Sequence, residues 1–97
     1  MNEGVLFGVL IFIPGIILFL FPPKEINYIY GYRTPRSMRN KENWEKANKY
    51  SSRLMIIFGL IIVVISLVFK STILNLISLG VSIILIFILV EMKISKN

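Results

Sequence analysis

The chain of 97 residues contains no cysteine, no histidine and no aspartate. Without cysteine there is no disulfide, thiolate chemistry, haem attachment or cysteine lipidation. Without histidine and aspartate, most of the usual catalytic and metal-binding repertoire is missing, and no cofactor is expected. Charge is scarce as well, and three long stretches have none: Gly4–Phe21 (18 residues), Leu54–Phe69 (16) and Ser71–Val90 (20). What remains is 56% apolar, too much for a water-soluble fold of this length. Crossing a hydrocarbon core about 30 Å thick takes roughly 20 helical residues. The expected fold is therefore an all-α membrane protein, one domain over residues 1–97 with three transmembrane helices at about 4–21, 52–69 and 71–91 and a loop at about 22–51. The first stretch lacks the marks of a cleaved signal peptide, a basic n-region and a small-residue cleavage site. It follows Met1-Asn2-Glu3 and closes on Phe19-Leu20-Phe21-Pro22-Pro23, so it is expected to stay as the first span.

Eleven Lys and Arg face five Glu, for a formal net charge of +6. Lys24, Arg33, Arg36, Arg39, Lys41, Lys46, Lys49 and Arg53 lie between the first two spans, Lys93 and Lys96 follow the third, and Lys70 sits in the short turn between. With three spans, ten of the eleven basic side chains share one side. The positive-inside rule makes that side the cytoplasm, with the N-terminus and the Lys70 turn outside and the C-terminus inside. Basic residues that flank spans are what topology requires, so no direct nucleic-acid partner is expected.

The second apolar run would cover only about 24 Å, and the residues before it extend it. Asn40 can cap a helix, Glu42 sits in the first turn where the dipole favours an anion, and Trp44, Ala47, Ser51 and Met55 recur at helical spacing. Glu42/Lys46 and Glu45/Lys49 are i,i+4 pairs in the favourable order. The pattern predicts one helix from about Lys41 to Phe69, with Trp44 and Tyr50 as anchors in the headgroup zone.

Apolar faces gain little by meeting in lipid, so helix packing needs small or hydrogen-bonding residues. The first span offers Gly4, Gly8 and Gly15, with Pro14 expected to kink it. The second offers Ser52, Gly59 and Ser66, spaced by seven and so on one face, with Ile62 expected to face lipid; the third offers Ser71, Asn75, Ser78 and Ser82. These are either packing residues of a three-helix bundle or, for Asn75 and the serines, the lining of a ligand groove. No ionisable side chain lies in mid-span, which disfavours a proton or ion relay.

The loop is more individual than a topology signal requires. It reads Tyr30-Gly31-Tyr32-Arg33-Thr34-Pro35-Arg36-Ser37-Met38, followed by Asn40, Trp44 and Asn48. Thr34-Pro35 reads as an N-cap followed by proline at the first helical position. The free N–H groups of that turn, with Arg33 and Arg36, would form a compact anion site. Gly31 would let the chain turn between two tyrosines able to stack on an arginine. The alternative is a polybasic juxtamembrane loop that attracts anionic lipid headgroups at about 1 kcal/mol per basic residue.

The run Gly31–Met38, then Asn40, Trp44 and Ala47-Asn48, resembles the signature loop of the SdpI family of bacterial membrane immunity proteins. The resemblance covers the loop and its flanking spans; longer members carry additional spans before this unit. It implies a multi-pass protein of the bacterial plasma membrane that confers resistance to a secreted, membrane-active peptide toxin. In the member that names the family it also implies that the toxin-bound protein holds a cognate transcriptional repressor at the membrane.

Three functions stay open: immunity to a peptide toxin; a docking platform whose basic loop binds an anionic lipid or a cytoplasmic regulator protein; and a very small transporter working as a homo-oligomer. No enzymatic activity is expected, because the only closely spaced carboxylates, Glu42 and Glu45, each face a lysine.

Overall fold

The computed structural model describes residues 2–94; Lys96, counted above among the basic residues beyond the third span, lies outside them. Three helices form, α1 (Glu3–Leu20), α2 (Lys41–Phe69) and α3 (Thr72–Lys93), each long and apolar enough to cross a membrane. No strand occurs among the described residues. A side chain closes each helix N-terminus. The Asn2 and Asn40 side-chain oxygens accept the Val5 and Asn43 N–H groups, both at 2.8 Å, and the Ser71 hydroxyl accepts that of Leu74 at 3.3 Å. Caps of this kind contribute about 1 kcal/mol each. α1 runs through Pro14 unbroken. α2 ends where Lys70 turns left-handed, with φ of 37°, and its N–H donates to the Ser66 carbonyl at 3.3 Å. That single residue reverses the chain, so α3 starts two residues after α2 stops.

The 29 residues of α2 span about 43 Å, which matches the 42 Å long axis of the molecule. α1 lies antiparallel against it at very short range. A methyl group built on Gly8 would stand 2.6 Å from the Gly59 carbonyl oxygen, and one on Gly59 would stand 2.8 Å from that of Gly8. Gly15 meets Met55 and the Ser52 carbonyl, and Gly4 meets Ser66 and the Asn75 amide. These are approaches to backbone, or to side chains fixed by it, so no rotamer change can relieve the clash. Ser52 and Ser66 are fully buried, yet their hydroxyls bond the Lys49 and Val63 carbonyls of their own helix at 2.7 Å. They serve this interface by being small, with their polar atoms satisfied locally.

Two expectations fail here. Ile62 does not face lipid; it is fully buried. It follows Gly59 by three residues and precedes Ser66 by four, which places it on the same helical face. Ser78 is only half-buried, while Asn75 and Ser82 on the same helix are buried. α3 packs less closely on α2 than α1 does, and touches α1 little. At its start it is tied to α1 by Glu3, whose carboxylate accepts from the Thr72 hydroxyl at 2.7 Å and the Asn75 amide at 3.3 Å. The Asn75 side-chain oxygen is buried against Gly4 with no hydrogen-bond partner.

Gly80 provides an internal control, because a Cβ there meets nothing within 4 Å. Gly8→Ala and Gly59→Ala should each destabilise the fold by about 1–3 kcal/mol through overpacking, while Gly80→Ala should leave it unchanged. Reversible unfolding in detergent micelles checks this; equal effects at Gly59 and Gly80 would refute the close α1–α2 contact.

Candidate functional site

The first two turns of α2 stand beyond the end of α1, and residues 21–40 fold around them. Trp44 is at the centre. It is fully buried, and its indole N–H donates to the Pro23 carbonyl at 2.8 Å. Its expected role as a headgroup anchor is therefore wrong: the ring lies on the face of α2 that the loop covers. Tyr50 is half-buried beneath the Lys93 ammonium, 5.5 Å from the ring centre. One turn after Trp44, buried Asn48 uses both ends of its amide, accepting the Tyr32 N–H at 2.7 Å and donating to the Trp44 carbonyl at 2.8 Å. Gly31 reaches this bond with φ of +111°, a conformation that suits glycine. A Cβ there would also stand 2.5 Å from the Asn48 side-chain oxygen and 2.8 Å from the Pro23 ring. Tyr30, on the other side of Gly31, donates its hydroxyl to the Phe21 carbonyl at 2.7 Å and so closes the end of α1.

The Thr34-Pro35 turn forms as a single turn. Met38 N–H donates to the Thr34 carbonyl at 3.0 Å, and Ser37 N–H to the Thr34 hydroxyl oxygen at 3.1 Å. Ser37 is fully buried, and its hydroxyl in turn accepts the Thr34 N–H at 2.8 Å. Pro35 is exposed at the first position of the turn and Met38 is half-buried. Buried Asn43 donates its amide to the Arg36 carbonyl at 3.1 Å, fixing the turn to α2.

The group facing this turn is Glu91, in the last turn of α3. One of its carboxylate oxygens accepts from the Tyr32 hydroxyl at 2.7 Å and from the Thr34 hydroxyl at 2.8 Å, and its backbone carbonyl accepts from the Arg36 guanidinium at 2.9 Å. Burial first, and then the bond to Glu91, raise the Tyr32 phenol above its ordinary value of 10, so it remains a donor. That stabilisation is complete below pH 10 and is lost only as the pH rises through the higher folded value. Neither arginine of the motif forms a fork on a carboxylate: Arg36 holds the Glu91 carbonyl and Arg33 the Tyr28 carbonyl. The Tyr32 ring packs on Phe87 of α3, with centroids 5.4 Å apart, and not on an arginine. Glu42 pairs with Lys46 at 3.1 Å, whereas the other expected pair, Glu45 and Lys49, is not formed.

Behind Tyr30–Tyr32 lies an apolar cavity of about 340 Å³ between the three helices, lined by Ile11 and Pro14 of α1, Met55 of α2 and Ile83, Ile86 and Phe87 of α3. It occupies the gap left where α1 and α3 scarcely touch. The expected groove residues Asn75, Ser78 and Ser82 do not line it, nor do Arg33 and Arg36. Of the motif, Tyr30, Gly31 and Tyr32 meet the cavity, Thr34, Arg36 and Ser37 build the turn, Asn40 caps α2, and Trp44 and Asn48 belong to it. Sequence reasoning missed Glu91, Asn43 and Phe87. Glu91 had a legible signal, as the single carboxylate beyond the third charge-free run.

The shared acceptor makes Tyr32 and Thr34 interdependent. Thr34→Val removes the cap and one donor to Glu91, and should cost about 1–3 kcal/mol. Combined with Glu91→Gln, it should cost clearly less than the sum of the two single changes. Unfolding of the two single variants and the double variant measures this; strict additivity would mean that the contact contributes nothing.

The SdpI/YfhL protein family matches residues 24–92, from the loop's first lysine to the last turn of α3. The uncharacterized protein YfhL of Bacillus subtilis (strain 168) is 46% identical over 92 residues, which are 93% of this chain and 84% of that protein. No solved structure matches significantly. The matched segment contains the loop from Lys24 onward, its anchors on α2 and its acceptor Glu91, and by that match the chain belongs to the SdpI/YfhL family.

Proposed function

We propose that the protein is an integral plasma-membrane immunity protein, which protects the cell from a secreted, membrane-active peptide by binding it along the seam between α1 and α3. Family membership carries the proposal, and the apolar cavity supports it. A peptide that acts on membranes arrives through the bilayer, so whatever captures it needs apolar surface reachable from the side. Ile83 and Phe87 are 43% and 47% exposed, which leaves the cavity wall open towards lipid. The aromatic rings of Tyr30 and Tyr32 close its end and add to the apolar surface.

The proposed orientation puts the N-terminus and the Lys70 turn outside, and the loop and C-terminus in the cytoplasm. It is supported by the distribution of charge. Nine described basic residues lie at or near the loop end of the molecule, and Lys70 is at the other. Reporter fusions check the orientation: a reporter after the C-terminus or near Lys41 should be cytoplasmic, and one beside Lys70 should be outside. A cytoplasmic Lys70 turn would overturn it.

Expression in a sensitive bacterium, challenged with membrane-active peptides, tests the function. The wild type should raise survival. Ile83→Trp, which fills the cavity, should remove most of that protection at an unchanged protein level, whereas Ile84→Trp, on the exposed face outside it, should not. Killing unaffected by the wild-type protein, with a soluble regulator co-purifying, would replace immunity with docking.

A further inference from the structure

A second cavity, of about 390 Å³, lies between the last turn of α1 and the first half of α2, with Leu18 between it and the first. Its volume falls within the roughly 300–1,000 Å³ of small-ligand sites. Leu18 and Phe19 supply an apolar wall; Lys24, Lys49 and Arg53 supply three cations against one carboxylate, Glu45. No salt bridge to any of the three cations is recorded among the described residues.

The depth of Arg53 is the telling observation. Gly15 packs on Ser52 and Met55, so Arg53 stands level with the penultimate turn of α1, about 5 Å inside the end of its apolar run. From that level its long side chain extends towards the headgroup zone, where an anion can meet the guanidinium. Glu45 cannot, because eight residues place it about 12 Å farther along the helix. Lys49 is one turn from Arg53 on the same face, and Lys24 lines the same crevice, so three cations border one cavity at the end of α1. The apolar wall borders the same cavity. This combination fits a phosphodiester that carries acyl chains, and the excess of two positive charges favours a headgroup without a compensating amine.

We propose that the crevice between α1 and α2 is a binding site for one anionic phospholipid, its phosphate held by Lys49 and Arg53 with Lys24 closing over it and an acyl chain lying on Leu18 and Phe19. The crevice shares Leu18 with the α1–α3 cavity but none of its cations line that cavity, and the proposal does not depend on the immunity function.

Native mass spectrometry of the full chain, released from detergent with phosphatidylglycerol, phosphatidylcholine or glycerol 3-phosphate, tests this. The wild type should retain one phosphatidylglycerol in preference to phosphatidylcholine. Lys49→Gln/Arg53→Gln should weaken that retention about thirty-fold. Lys41→Gln/Lys46→Gln removes the same charge from exposed positions outside the crevice, and should change retention less than about threefold. Equal retention of the two lipids by the wild type would overturn the site whether or not the variants fold. Equal losses in the two double variants would reduce it to diffuse surface charge. Retention of glycerol 3-phosphate to match the lipid would make it a site for soluble anions.

Discussion

The backbones of α1 and α2 meet at Gly8 and Gly59 with no room for a methyl group between them, and most of the architecture follows from that approach. Lipid tails are as apolar as the helix faces, so association must come from dispersion at short range and from polar contacts. The glycines bring α1 and α2 close enough for the first. α3 has no equivalent, since its one glycine, Gly80, faces open space. It packs on α2 through Ile86 and Val90, in one apolar cluster with Ala47 and Leu54, and is clipped at its two ends, by Glu3 of α1 at its start and by the contacts of its own Glu91 with the loop at its finish. Between these clips α1 and α3 stand apart, and the gap is the apolar cavity.

The loop is therefore a structural element that ties the three helices together. Tyr30 closes α1, Trp44 and Asn48 fix the chain to α2, and Thr34, Tyr32 and Arg36 grip α3. Each helix is held by a different part of one segment. The polar atoms that do this are mostly buried and satisfied within the chain, as they must be close to a medium that offers no water to replace them. Much of the motif is thus committed to holding three helices together around the cavity, which leaves the apolar lining and the cations at the rim as surfaces for other molecules.

The three helices were legible because charge-free runs of this length have one solution in a bilayer, and the extension of α2 back to Lys41 was legible from Asn40 and the apolar spacing that follows. The packing glycines were legible for the same chemical reason. Ile62 was misread because small residues drew the eye to a seven-residue repeat, although the helical face between Gly59 and Ser66 must also contain the residue three along. Trp44 was misread because a tryptophan near charged residues suits an interface equally well, and only the fold of the loop over it decides between the two. The partner of the loop was hidden for a different reason. Thr34 and Glu91 are 57 residues apart, and nothing local in either segment points to the other.

The lengths of the two connections have a thermodynamic consequence. Two residues join α2 to α3, but twenty join α1 to α2, and closing the longer connection costs about 2 kcal/mol more in chain entropy. The tightest helix pair is thus the one the chain is least inclined to bring together. Every bond that pre-arranges residues 21–40, from Asn27 bonding the Tyr30 N–H to Trp44 bonding the Pro23 carbonyl, reduces the freedom lost when α1 docks. These side chains strengthen the union of two helices from outside the surface on which the helices meet.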